Sequence, residues 1–249
     1  MRVVKIGGSV ISMLENLWRE NGISEILGNS VIVHGGSRHV DELSRKMGVK
    51  IEKLTSPSGV TFRRTTKEVL KVYVAAMIRA NKEIVEFLRN QGINAIGLTG
   101  LDRELIIGER KKLIKAVING RVVAIRDDYS GVIKKVNTQI LREYLKIGTP
   151  VIASIAYDPI ENTPLNVDGD KVAYHVALAM DAKELYFLSD TAFMAGGKVV
   201  SELPADEIEK YLIFAKGGMK KKLLMAKEAI NSGIKNVVIE GLNGRTVIY

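Results

Sequence analysis

An α/β fold, with an open and mostly parallel sheet sandwiched by helices, is what this sequence predicts, and three observations predict it. Short β-branched runs recur along the whole chain, stretches with apolar residues at helical spacing separate them, and glycine pairs stop two of the runs. A length of 249 residues, 46% hydrophobic and 26% charged, suits one large domain with a sizeable core. There is no internal repeat, low-complexity tract or Pro/Ser linker, so two lobes on one continuous sheet are expected rather than two separable domains. The lobes divide at about residue 160.

The elements follow in order. Residues 3–6, 30–33, 94–98, 150–154, 184–188 and 236–239 read as strands, nearly continuous in apolar character, which suits a sheet covered on both faces. Residues 66–90 read as a long helix, with Val69, Leu70, Val72, Tyr73, Ala76, Met77, Ala80, Ile84, Val85 and Leu88 on one stripe. Further helices are expected over 170–180 and 220–232, the latter closed by Gly233. The stretch from about 105 to 135 breaks the rhythm. Alternation over 122–125, with turn signals at Asn119-Gly120 and Ser130-Gly131, predicts hairpins there.

Several function classes fall away on composition. The chain has no cysteine and three histidines, which removes thiolate metal sites, disulfides and cysteine nucleophiles, and leaves little for a histidine metal site. No apolar run approaches the roughly 20 residues of a membrane span, and the first residues open directly into a strand pattern, so a cytoplasmic protein with no membrane contact is expected. The net charge is +9, and it is lopsided: residues 1–125 carry 21 basic and 12 acidic side chains, residues 126–249 carry 16 of each. That asymmetry fits an anionic partner or a solvated basic surface. Nucleic acid is the weaker partner, because aromatics are 6% and are not interleaved with the basic clusters.

Three glycine turns carry the first chemical signal: Lys5-Ile6-Gly7-Gly8, His34-Gly35-Gly36-Ser37 and Lys216-Gly217-Gly218-Met219. In an open parallel sheet, ligands bind beyond the carboxyl ends of the strands, where glycine lets backbone N–H groups approach anionic oxygens. None is a GxxxxGK[ST] phosphate loop or a GxGxxG dinucleotide fingerprint. Lys5 interrupts an apolar strand, so it sits either on a solvated edge or beside a partner or ligand. Lys220, Lys221 and Lys222 stand at a helix start, where cations oppose the helix dipole unless an anion is present. Asn166, Asp168 and Asp170 cluster at another helix start; either aspartate is an N-cap candidate, and together they can orient lysines or a hydrated Mg²⁺. Arg63 and Arg64 precede the long helix, where an arginine can clamp a carboxylate or form a surface pair. His34 ends a strand and reads as a turn residue, and His39 and His175 as helical residues without carboxylate or cysteine partners at ligand spacing. Trp18 reads as core or interface, and Arg110-Lys111-Lys112 as a solvated face.

The ordered set Lys-x-Gly-Gly, His-Gly-Gly, an arginine before a long helix, Asn-Val-Asp-Gly-Asp, Leu-Ser-Asp-Thr and Gly-Gly-Met-x-x-Lys resembles the amino acid kinase family, in its N-acetylglutamate kinase branch. The resemblance spans the whole chain. Within the branch, Thr55-Ser56-Pro57-Ser58-Gly59 and Phe62-Arg63-Arg64-Thr65 look like the archaeal and Thermus-type kinases whose substrates ride on the small acidic carrier protein LysW. The resemblance implies an ATP- and Mg²⁺-dependent kinase acting on the side-chain carboxylate of carrier-linked aminoadipate, glutamate or both, with free N-acetylglutamate as the alternative substrate. It also implies a homodimer built on the first lobe, a substrate- and carrier-binding lobe over about 1–160, and a nucleotide lobe over about 161–249.

By motif, the resemblance gives Lys5 and Lys222 the transferring phosphoryl group, and Asp170 the task of holding both lysines. It gives Arg63 and Asn166 the α-carboxylate, and the backbone N–H groups of Gly7, Gly8, Gly35 and Gly36 the phosphate and reacting carboxylate. Ser189, Asp190 and Gly218 fall on the nucleotide side. Two departures stand out: Thr191-Ala192-Phe193-Met194 replaces the family's usual nucleotide loop, and Ser37 replaces a third glycine. The absence of a histidine or cysteine nucleophile is consistent with the implied chemistry. An attacking carboxylate is already ionised at pH 7 and needs no general base, so catalysis rests on positioning and charge neutralisation.

Overall fold

The computed structural model describes residues 1–20 and 22–249. Its centre is an eight-stranded sheet of β1 (Arg2–Ile6), β2 (Ser30–His34), β5 (Ala95–Thr99), β10 (Thr149–Ala153), β13 (Glu184–Leu188), β16 (Glu202–Leu203), β17 (Asn236–Gly241) and β18 (Gly244–Ile248). The spatial order is β16-β18-β17-β13-β1-β2-β10-β5, parallel except where β18 turns back on β17. All six strands expected from sequence lie in this one sheet. β1 is in its interior, with Lys5 opposite Val33 on one side and Phe187 on the other.

Strand alternation sorts the core onto two faces. Val4, Ile6, Ile32, Val151 and Leu188 pack with residues of α1 (Leu14–Glu20), α2 (Ser24–Gly28) and α4 (Lys67–Asn90). Val3, Val33, Ile152 and Phe187 pack with α5 (Thr138–Leu145), α6 (Gly169–Ala179) and α8 (Gly217–Asn231). Each fully buried aliphatic side chain contributes about 1.5–3 kcal/mol. Lys5, two residues from Val3, therefore faces the α6 side. Thr66 caps α4 by accepting a hydrogen bond from the Val69 N–H, and Gly233 follows α8 at φ +100°. α8 begins at Gly217, earlier than its apolar pattern suggests, because the glycines form its first turn. The remaining helices are α3 (Ser37–Lys46) and the short α7 (Ile208–Tyr211).

Two four-stranded sheets lie apart from the central one. One has β6 (Ile106–Arg110), β9 (Gly131–Val136), β11 (Ile155–Asp158) and β12 (Thr163–Asn166), in the order β12-β11-β6-β9. The other has β3 (Lys53–Thr55), β4 (Thr61–Arg63), β7 (Ile114–Ile118) and β8 (Arg121–Ile125), in the order β4-β3-β7-β8. Asn119 (φ 50°) and Gly120 (φ 75°) make the tight β7–β8 turn that their sequence predicts. Ser130-Gly131 is not a hairpin turn. Gly131 opens β9 opposite Arg110, so the β7–β8 hairpin is inserted between two paired strands. A two-stranded ribbon, β14 (Met194–Ala195) with β15 (Lys198–Val199), completes the strands. Among the described residues, no helix is long and apolar enough to cross a membrane.

Candidate active site

The carboxyl ends of β1 and β2 bring two glycine turns face to face. The Gly7 N–H extends the sheet to the Leu188 carbonyl (3.2 Å), and the Gly35 N–H does the same to the Ile6 carbonyl (3.0 Å). Those two donors are committed to the fold. The N–H groups of Gly8, Gly36 and Ser37 have no acceptor among the described residues. A Cβ on Gly8 would stand 2.8 Å from the Ser37 nitrogen, so only glycine allows this approach. The start of α3 thus offers unspent donors and the positive end of its dipole next to the first turn. The Gly217 and Gly218 N–H groups at the start of α8 are likewise free among the described residues.

Lys5 is 8% exposed, and its Nζ lies 2.8 Å from Oδ1 of Asp170, which is 6% exposed. The solvated-edge reading of Lys5 is excluded, since β1 has strands on both sides and a helix start above it. Burial works against the Asp170 charge, but Lys5 and Lys222 beside it outweigh burial and hold its carboxyl below the usual carboxylate range. Burial pulls Lys222 below the usual lysine value, with Lys5 adding to the effect and Asp170 opposing it. Gly169 is pressed against the lysine stem: a Cβ there would meet Ser154 Oγ at 2.9 Å and Lys5 Cε at 3.3 Å.

Asp168, not Asp170, is the α6 N-cap. Its Oδ1 accepts from the N–H groups of Asp170 (2.9 Å) and Lys171 (3.3 Å), and its Oδ2 takes Lys221. Of the three consecutive lysines in the first turns of α8, Lys221 is paired with Asp168, Lys222 lies in the field of Asp170, and Lys220 is exposed. Asp190 accepts from Ser9 Oγ at 2.7 Å and adds its charge to the surroundings of Lys222. Ser189 continues β13, its N–H bonded to the Glu240 carbonyl at 2.8 Å.

Arg63 lies at the end of β4 and reaches α3: Nη2 donates to Asp41 Oδ1 (2.5 Å) and to the Ser37 carbonyl (3.2 Å), while its buried Nε has no partner. Burial lowers its basicity and Asp41 restores part of it. Arg64 is a surface pair, bonded to Glu52 (2.8 Å) and Asp127 (2.6 Å). Asn166, at the end of β12, donates Nδ2 to Thr65 Oγ1 at 2.8 Å, which ties it to the segment after Arg63. Tyr73 of α4 donates to the Ser154 carbonyl at 2.5 Å and lies in the field of both Arg63 and Asp168.

In the charge run at 110–112, Lys111 and Lys112 are exposed as expected, but Arg110 is half-buried. Arg110 is clamped by Glu161 (2.9 Å), the Asp128 carbonyl (2.8 Å) and the Tyr129 ring, whose centroid is 3.9 Å from the guanidinium carbon. Burial lowers the basicity of Lys111, which also feels Lys171, Asp128, Asp168 and Lys221 and so borders the site. His39 does have a carboxylate partner, Glu83 of α4 at 2.7 Å, too far along the chain for any spacing rule to reveal. Trp18 packs edge-on against Phe87 at 5.7 Å. Sequence reasoning placed His34 at a turn but missed its burial and its neighbour Asn81; a lone polar residue on the apolar stripe of α4 was the available signal.

A sequence profile described as the amino acid kinase family matches residues 1–240. A protein of Pyrococcus horikoshii, named provisionally a LysW-aminoadipate/LysW-glutamate kinase, is 64% identical over 248 residues, covering 100% of this chain and 98% of that one. One of Saccharolobus solfataricus, named a LysW-aminoadipate/LysW-glutamate kinase, is 38% identical over 253 residues, covering 100% and 95%. Among solved structures, smu.665 from Streptococcus mutans aligns with a TM-score of 0.80 at 23% identity, covering 99% and 97% of the two chains. A Giardia carbamate kinase aligns at 0.64 with 13% identity, covering 99% and 97%. At these identities the structural likenesses speak for the fold alone.

Proposed function

The chain belongs to the amino acid kinase family, and from that premise we propose that it transfers the γ-phosphoryl group of ATP to the side-chain carboxylate of aminoadipate, glutamate or both, carried on LysW. The single observation that carries the reading is the buried Lys5–Asp170–Lys222 cluster beside two opposed glycine turns. The names of the relatives supply the substrate.

In this reading the carboxylate oxygen attacks phosphorus, the bond from phosphorus to the leaving ADP oxygen breaks, and no proton has to move. Lys5 and Lys222 neutralise the transferring group from two sides, and Asp170 keeps both lysines charged and in place. The free N–H groups of Gly8 and Gly36 take phosphoryl or carboxylate oxygens; Gly7 and Gly35 build the turns that present them. Arg63 and Asn166 receive the α-carboxylate, Arg63 through the fork positions that Asp41 leaves open. Gly218, Ser189 and Asp190 face the nucleotide. The site fits ATP, with donors and cations converging where a Cβ is excluded.

The site offers no protein cage for Mg²⁺: among the described residues no carboxylate or histidine group has the arrangement of a metal site, and Asp168 and Asp170 are already paired with lysines. Mg²⁺ would arrive on the ATP phosphates and supply charge neutralisation there.

Residues 1–160 then serve substrate and carrier, and 161–249 the nucleotide, with two chains pairing through the first lobe. The carrier reading is supported by the segment from Lys111 to Arg126, which has five cations (Lys111, Lys112, Lys115, Arg121 and Arg126) and no carboxylate. None of the five forms an ion pair among the described residues. Side-by-side turnover on LysW-linked aminoadipate, LysW-linked glutamate and free N-acetylglutamate tests the proposal. Carrier-linked substrates are expected to react with kcat/KM far above the free one, and the reverse order would overturn it.

A further inference from the structure

His34 ends β2, is fully buried, and has no part in the chemistry above. Three hydrogen-bond contacts in series run from the sheet through it to the Gly35-Gly36 turn. The Val151 carbonyl of β10 lies 2.8 Å from Asn81 Nδ2, and a carbonyl needs a donor, so the amide nitrogen is on that side. The Asn81 oxygen takes the opposite place, against Gly97, where a Cβ would stand 2.2 Å from it. The same Nδ2 lies 3.0 Å from His34 Nε2. An amide nitrogen only donates, so Nε2 accepts, and the ring hydrogen is on Nδ1, which lies 3.0 Å from the Gly35 carbonyl oxygen.

We propose that Asn81 and His34 form a positioning relay that aims the Gly36 N–H into the site. The Gly35–Gly36 peptide is trans and planar, so holding its carbonyl oxygen on the imidazole turns the N–H to the opposite side. That N–H has no acceptor among the described residues, and the Gly36 carbonyl carbon would stand 3.3 Å from a Cβ on Gly8 across the two turns. Neither glycine has a side chain to hold the turn, and a Cβ on Gly36 would strike Met77 Sδ at 2.5 Å, so an outside group must fix the peptide plane. The relay needs a neutral ring, because an imidazolium would set Nε2–H against the Asn81 N–H. Burial pushes His34 down to about 4, His39 of α3 and Lys5 of β1 push the same way, and only the Gly35 carbonyl opposes. His34 is a positioning residue and touches no ligand; what the Gly36 N–H serves rests on the kinase reading above.

The test has a spectroscopic arm and a kinetic arm. Nitrogen NMR of histidine-labelled protein is expected to show His34 as the neutral Nδ1–H tautomer from pH 6 to 8, and the Gly36 amide resonance is expected to move in Asn81→Leu. Kinetically, His34→Leu and Asn81→Leu should lower kcat by at least about tenfold with the KM for ATP little changed, because a misaimed donor is felt most in the transition state. His34→Asn, whose amide can replace the Nδ1 donor, should recover part of the loss. A His34 that titrates like a free imidazole, an Nε2–H tautomer, or Leu variants within twofold of the parent would overturn the relay. If the parent turns over none of the carrier-linked substrates, the kinase reading fails, and the tautomer and the Gly36 resonance still decide the relay. Should the Leu variants not fold, His34→Asn and the parent's spectra carry the decision.

Discussion

β1 and β8 are nearly the same five residues, Arg-Val-Val-Lys-Ile and Arg-Val-Val-Ala-Ile, and they meet opposite fates. In β1, Val3, Val4 and Ile6 are 0% exposed; in β8, Val122 is 60% and Val123 38% exposed. The sequence of the strand is not what differs. β1 has a partner strand on each side and helices over both faces, whereas β8 is the edge of a small sheet and pairs with β7 alone. The odd residue is inverted as well: the buried strand holds the lysine and the exposed one holds Ala124. A charge kept where it is expensive and valines kept where they are idle are what the proposed reaction floor and carrier-contact surface would need.

The comparison breaks first at Lys5. Lys5→Met keeps the strand apolar but should lower kcat by roughly 100- to 1,000-fold, the scale of losing one charge-stabilising group. Asp170 then keeps only the α8 lysines, and half-breaking a buried pair costs about 3–5 kcal/mol, visible as a lower Tm. Turnover close to the parent would mean that β1 is no more chemical than β8.

Lys222 sharpens the floor side through pH. Its value lies below the ordinary 10.5, chiefly through burial, and the proposed kinase chemistry requires the charged form. Activity is therefore full on the acid side of that depressed value and is lost as pH rises through it. A kcat–pH profile should show this alkaline limb, and Lys222→Arg should move it upward while lowering kcat.

Arg63 and Arg64 repeat the contrast at neighbouring positions. Arg63→Ala should raise the KM of the carboxylate substrate about tenfold or more, since a hydrogen bond to a charged group is worth about 1.5–3 kcal/mol. Arg64→Ala removes only the Glu52 and Asp127 surface pairs and should change KM little.

The smallest effect belongs to the β7–β8 hairpin and the residues that lead into it. Lys112→Glu with Lys115→Glu should raise the KM for carrier-linked substrate several-fold at low salt, and the difference should shrink toward 1 M, where the Debye length is about 3 Å. kcat and stability should stay close to the parent. Arg110 is excluded from this experiment because it ties Tyr129, Asp128 and Glu161 together.

The six main strands were legible because they are short, apolar throughout and stopped by turn residues. Pairing was not. A strand pattern is silent on whether its neighbours come from both sides, which is why Lys5 could be read as solvated until β13 and α6 were seen around it. Arg110 was misread for the same reason: its carboxylate and aromatic partners arrive from other strands. Asp168 and Asp170 were recognised as a helix start, but which of them caps depends on where Lys5 and Lys221 reach. His34 looked like a turn residue, and it became informative only beside Asn81 of α4.

β1 is paired on one side by a strand near it in the sequence and on the other by a distant one. Its β2 side can close early, but its β13 side waits until residues 184–188 exist, and Lys5 waits for Asp170. Without those partners β1 would be an open strand edge carrying a cation, a feature that disfavours edge-to-edge pairing with other chains. A cut near residue 160 would divide the sheet along this same seam, with β1, β2, β5 and β10 on one fragment and β13, β16, β17 and β18 on the other. Neither fragment can finish the sheet alone. The seam between the two halves is the β1–β13 pairing, and Lys5 lies on it.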